Sequence, residues 1–80
     1  MVESGDDNTR HRIEKDIEEF HESVKAVKSL PSYERVIELA KMYASDAKSY
    51  LDKGDLYTSF SCISYAHGLL DAIKELERVK

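Results

Sequence analysis

Pro31 and Gly54 cut the chain into three blocks and leave it little choice of fold. Proline lacks an amide donor and disfavours helix at the residue before it, so Ser29-Leu30-Pro31-Ser32 ends one helix. The same proline suits the first turn of the next helix, with Ser29 or Ser32 as its cap. In Lys53-Gly54-Asp55, the glycine can adopt the left-handed conformation that closes a helix. Lys53 complements the negative end of that helix's dipole, and Asp55 can cap the helix that follows.

Within each block the apolar residues recur at helical intervals. Ile13, Ile17, Phe20, Val24 and Val27 form one narrow stripe and predict a helix over about residues 9 to 28. Val36, Ala40, Tyr43, Ala47 and Tyr50 form a stripe on a second helix, over about residues 32 to 53, beside Ile37, Ala44 and Leu51; Leu39 widens the face. The third helix, about residues 56 to 78, carries two stripes. Leu56, Phe60, Ile63, Leu70 and Ile73 make one; Cys62, Tyr65, Leu69, Ala72, Leu76 and Val79 make the other. A helix with two apolar stripes packs against two neighbours, and a helix with one lies in the groove between them. Tight corners join antiparallel neighbours. The expectation is an all-α, antiparallel, up-down-up three-helix bundle spanning residues 9–80, after a flexible polar tail over residues 1–8. Asn8 or Thr9 would cap its first helix.

Size and charge narrow the function. A chain of 80 residues buries only about 60% of its unfolded surface, which favours surface grooves over a deep catalytic cavity. With 12 basic and 16 acidic residues the net charge is −4, and the basic residues are scattered. Arg10-His11-Arg12 is the nearest thing to a cluster, and Asp6 and Asp7 precede it. That is no cationic footprint for nucleic acid. Cys62 is the single cysteine, so the fold needs no internal disulfide. No apolar run is long enough for a signal peptide or a membrane span, and the chain reads as cytoplasmic.

The strongest grouping of chemical side chains lies along the hairpin of the second and third helices. If that hairpin turns at Gly54-Asp55, Tyr43 stands near His67, Asp46 near Ser64, and Leu39 near Asp71. Ser64, His67 and Asp71 share one face of the third helix; Tyr43, Asp46 and Tyr50 share one face of the second. Adjoining, and joined by Tyr65, they would make a polar patch for a small ligand or a phosphate-bearing group. The plainer reading is that Tyr43, Tyr50 and Tyr65 bury their rings with hydroxyls at the rim, while His67 and Asp71 pair locally. Ser64-His67-Asp71 is no catalytic triad, because a helix interior has no free amides for an oxyanion hole.

The remaining candidates favour structure over chemistry. Gly68 inside a helix costs about 1 kcal/mol relative to alanine, which close approach of the first helix or of a second chain would offset. Glu18 and His21 match the Glu-x-x-His spacing of di-iron sites once, where two are needed, and His11, His21 and His67 lie far apart. No metal and no cofactor is expected. Cys62 reads as a small core residue without thiolate activation.

Residues 43–72, YASDAKSYLDKGDLYTSFSCISYAHGLLDA, resemble the core of the DUF357 family of small archaeal proteins of unknown function. The resemblance rests on Tyr43, Asp46-Ala47, Gly54-Asp55 and the run from Ile63 to Ala72, and extends more loosely over the chain. It implies a left-handed three-helix bundle, an archaeal and cytoplasmic origin, and an accessory role beside nucleotidyltransferase-like domains. It brings no activity. The Gly-Asp hairpin also has the look of the HEPN family, some of whose members are nucleases. Neither Arg78, with nothing after it, nor Arg12 with His21 supplies that family's Arg-to-His catalytic spacing. Together these readings point to a non-catalytic helical interaction domain with a protein partner or a second copy of itself. A small-molecule or nucleotide-binding accessory domain is the alternative, and a HEPN-like hydrolase the least favoured.

Overall fold

A computed structural model describes residues 5–27 and 31–78. It contains α1 (Gly5–Ala26), a single 3-10 turn (Pro31–Tyr33), α2 (Glu34–Lys53) and α3 (Leu56–Arg78), with no strand among the described residues. The helices form a three-helix bundle in which α2 and α3 make the most extensive contact and α1 leans on α3 more than on α2.

The corners behave as their chemistry dictates. Gly54 has φ 87°, and its amide donates to the Leu51 carbonyl at 3.0 Å. The Asp55 amide reaches back to the Tyr50 carbonyl at 2.9 Å, so two of the carbonyls that the end of α2 leaves open are satisfied. Asp55 then caps α3: its Oδ1 accepts from the Thr58 amide at 3.1 Å. At the other corner Pro31 opens the 3-10 turn, and α2 begins at Glu34, two residues later than the spacing suggested. Ser32 falls inside that turn, and Tyr33 occupies the cap position without a side-chain cap bond. Ser29 and Val79 lie outside the described residues.

α1 starts at Gly5, earlier than its apolar stripe indicates. Asn8 and Thr9 therefore sit within the helix instead of capping it, and residues 5–8 of the expected tail are helical. Acidic Asp7 in the first turn complements the positive end of the helix dipole. Such a charge effect is invisible to a reading based on apolar periodicity.

The core is built from Ile13, Ile17 and Phe20 of α1, Ile37, Ala40, Ala44, Ala47 and Leu51 of α2, and Ile63, Ala66, Leu70 and Ile73 of α3. Full burial of each large aliphatic or aromatic side chain stabilises by about 1.5–3 kcal/mol. The alanines carry little of that energy, but they let the α2 and α3 backbones come close.

One core position reverses the sequence expectation. Ser59 is 0% exposed, while Phe60, placed on an apolar stripe by its spacing, is 43% exposed. Adjacent helical residues are rotated by about 100°, so a small change of helix phase exchanges them. The phase is set by close packing of α3 on α2, where only a small side chain fits. The Ser59 hydroxyl donates to the Ala47 carbonyl at 2.6 Å, which satisfies its polar atom in the interior.

Candidate functional site

The hairpin register decides which polar residues meet. Tyr43 packs edge-on against Tyr65 with ring centroids 4.6 Å apart, and Ala47 is bonded to Ser59. The Asp46 carboxylate lies near enough to Cys62 to act on its thiol. Tyr43 is thus paired with Tyr65, two residues short of the expected His67. Two residues rotate the partner position by about 200° around α3, so the slip moves His67 to the opposite flank.

His67 there turns toward α1. Its Nε2 lies 2.9 Å from the backbone carbonyl of Asp16, and its ring meets Phe20 edge-on at 5.8 Å. It bonds α1 and not Asp71, so the expected local pair is not the one made. Ser64, His67 and Asp71 line an open groove of ≈ 430 Å³ with Arg12, Asp16 and Glu19 of α1. The expected single patch is therefore two separate flanks: Tyr43, Asp46 and Tyr65 on the open α2–α3 side, Ser64, His67 and Asp71 beside α1. Tyr50 is half-buried, with the Lys53 ammonium 5.4 Å from its ring centroid at the turn.

Gly68 is exposed and lines the same groove beside α1. A Cβ placed on it would meet nothing within 4 Å, so close approach by α1 does not account for the glycine. Cys62 is half-buried, and burial pushes its thiol pKa up, with the Asp46 and Asp55 carboxylates adding to the rise. A thiol pKa raised in this way leaves less of the nucleophilic thiolate. Among the described residues no three His, Cys, Asp or Glu side chains gather to hold a metal ion, and no helix is long and apolar enough to cross a membrane.

A feature that the sequence reading did not isolate is the open side of the α2–α3 hairpin. Leu39 is 38% exposed, and Met42, Tyr65 and Leu76 are each about half exposed. Half-buried Val36, Tyr43, Cys62 and Leu69 lie between them. On α3, positions 62, 65, 69, 72 and 76 follow steps of three and four; on α2, 36, 39, 43, 46 and 50 do the same. These are two heptad-type seams side by side. The signal for them was present in the second stripe of α3, which α1 does not cover. A depression of ≈ 520 Å³ lies around Val36, Leu39 and Met42.

The whole arrangement, from Arg10 of α1 to the end of α3, falls within a match to the family model for a protein of unknown function, DUF357, over residues 10–79. The chain belongs to the DUF357 family. No curated protein matches it. For this DUF357 protein the matched span takes in the Gly54-Asp55 turn, both flanks of α3 and both seams of the open face.

Proposed function

We propose that this DUF357 protein is a non-catalytic interaction domain, cytoplasmic and archaeal, whose working surface is the open α2–α3 face, and that this face receives the apolar helical surface of another polypeptide. The observation that carries the reading is the pair of exposed apolar seams. Leu39, Tyr65 and Leu76 of these seams stay in contact with water, while α1 packs on the other side of the hairpin. Apolar patches of a few hundred Å² rimmed by polar residues are characteristic of surfaces that bind. The seams have the spacing by which helices recognise helices, with Asp46 as the single charge interrupting them.

The polar side chains support a binding role over a catalytic one. His67 gives Nε2 to the Asp16 carbonyl, and the tyrosines lie on the other flank, so the groups do not converge on one reacting atom. The test uses Leu76→Glu and Tyr65→Lys as baits beside the wild type, with native extract as the source of partners and sedimentation to measure self-association. Both positions are half exposed, so helicity should be unchanged. Association that both substitutions abolish supports the reading; association indifferent to them, or none at all, rejects it.

A further inference from the structure

We infer that the occupant of the open face is a helix of another polypeptide that carries an arginine within its apolar stripe, and that this arginine seats on Asp46 beside Tyr43 and Tyr65. The inference rests on the interaction reading above and names the chemistry of its partner. Of the residues on the two seams, Asp46 alone is charged. It follows Tyr43 by three residues and precedes Tyr50 by four, so the three share one edge of α2. The Tyr43 ring lies against Tyr65 of α3. Cys62 of α3 stands close enough for the Asp46 carboxylate to act on its thiol, which sets that carboxylate toward the seam between the helices. Asp46 is exposed, and among the described residues it has no ion-pair partner.

A helix laid along the seams takes water away from this carboxylate. An ionised carboxylate that loses its hydration without gaining a partner opposes binding as strongly as one buried leucine favours it. The Cys62 thiol is only a weak donor and does not replace that water. The face therefore selects against a purely apolar helix and for one that brings a cation to the level of Asp46. Leu39, Leu69 and Leu76 lie further from the Gly54 turn than Asp46 does and receive the partner's apolar residues. With the charge at one end and the leucines at the other, the face also sets the direction of the partner helix. A single polar residue in an apolar seam is a known means of fixing register and partner.

The tyrosines choose between the two cations a polypeptide can offer. A guanidinium is planar and weakly hydrated, stacks on aromatic faces and gives two parallel N–H donors to one carboxylate. An ammonium is a strongly hydrated point charge. Tyr65 is half exposed and presents ring area beside Asp46. The neighbouring Tyr50 already holds a cation of its own chain, the Lys53 ammonium 5.4 Å from its ring centroid, which shows the attraction that these rings exert. Carboxylate and aromatic surface together fit arginine better than lysine.

The experiment selects a displayed library of amphipathic helices on the full chain. Each helix has an apolar stripe in which every position is varied in turn through all residue types. Wild-type protein should enrich arginine at one stripe position about 10-fold over leucine, and over lysine by less. Asp46→Asn should abolish that preference, and Asp46→Lys should turn it toward glutamate or aspartate. Tyr65→Leu should narrow the margin of arginine over lysine. The chain has a net charge of −4, so Glu38→Gln, which removes an exposed carboxylate off the seams, controls for general attraction and should change nothing. Binders that prefer leucine throughout, or whose arginine preference survives Asp46→Asn or falls equally with Glu38→Gln, overturn the inference. If Leu76→Glu still abolishes their binding, the interaction reading stands while the arginine falls. A wild type that selects no helix sensitive to Leu76→Glu ends both.

Discussion

Replacing Ser59 with leucine should destabilise the protein more than removing the aromatic ring from its neighbour Phe60. Ser59 is 0% exposed and sits where α3 meets α2 at Ala47, its hydroxyl 2.6 Å from the Ala47 carbonyl. Leucine adds three carbon atoms to a site already in contact on every side and removes the hydrogen bond. Overpacking of this kind costs about 1–3 kcal/mol, and the lost bond adds about 1 kcal/mol, so Ser59→Leu should cost about 3 kcal/mol. Ser59→Ala removes the bond alone and should cost about 1 kcal/mol. Phe60→Ala deletes a ring that is 43% exposed; with roughly half of a 2–3 kcal/mol burial term lost and some helix propensity regained, it should cost about 1 kcal/mol. In a domain of this size 1 kcal/mol moves the melting temperature by about 4–8 °C. Thermal and urea melts followed by circular dichroism should therefore rank Ser59→Leu well below the other two. If Phe60→Ala proves the most damaging, the phase of α3 is rotated from the one described and the packing argument fails.

Three further outcomes follow from the same geometry. Gly68→Ala should raise stability by about 1 kcal/mol, because the added Cβ meets nothing within 4 Å and alanine is the better helix former; a lower melting temperature would contradict it. Arg10→Gln should cost about 1 kcal/mol and loosen α1 from the turn, since Arg10 Nη1 donates to the Leu51 carbonyl at 3.0 Å across 41 residues. Hydrogen exchange of the amides near Leu51 and along early α1 is the measurement, and unchanged protection would refute it. For Cys62, burial first and the Asp46 and Asp55 charges next hold the thiol's pKa above its ordinary value. The folded chain keeps that proton at a pH where the unfolded chain has lost it. The contribution to stability is therefore complete below the unfolded value and lost as pH rises through the folded one. Alkylation of folded protein should reach its half-maximal rate at higher pH than in urea. Asp46→Asn should bring that midpoint part of the way down; a midpoint unmoved by either change would refute the assignment.

The exposed ion pairs warrant no comparable prediction. Lys48–Asp52, Lys25–Glu22 and Arg78–Glu75 join residues one turn apart on solvated faces. Pairs of that kind contribute at most a few tenths of a kcal/mol. The long-range contacts carry more of the specificity. Arg10 on Leu51 ties the start of α1 to the end of α2, and His67 on Asp16 with Phe20 ties α3 to the middle of α1.

Local chemistry alone determined the three helices, their antiparallel order and the Gly54-Asp55 turn. Each of these depends on interactions among residues a few positions apart: the missing amide of Pro31, the left-handed glycine, the Asp55 cap, and the recurrence of Ile13, Ile17 and Phe20 on one face. Tertiary packing decided the rotation and register of each helix. A slip of two residues separated His67 from Tyr43, and a change of phase put Ser59 inside and Phe60 at the rim. Nothing within a single helix selects among such arrangements, because several rotations bury similar apolar area. Close contact across the alanines of α2 and α3 selects one, and with it which seam α1 covers and which stays open.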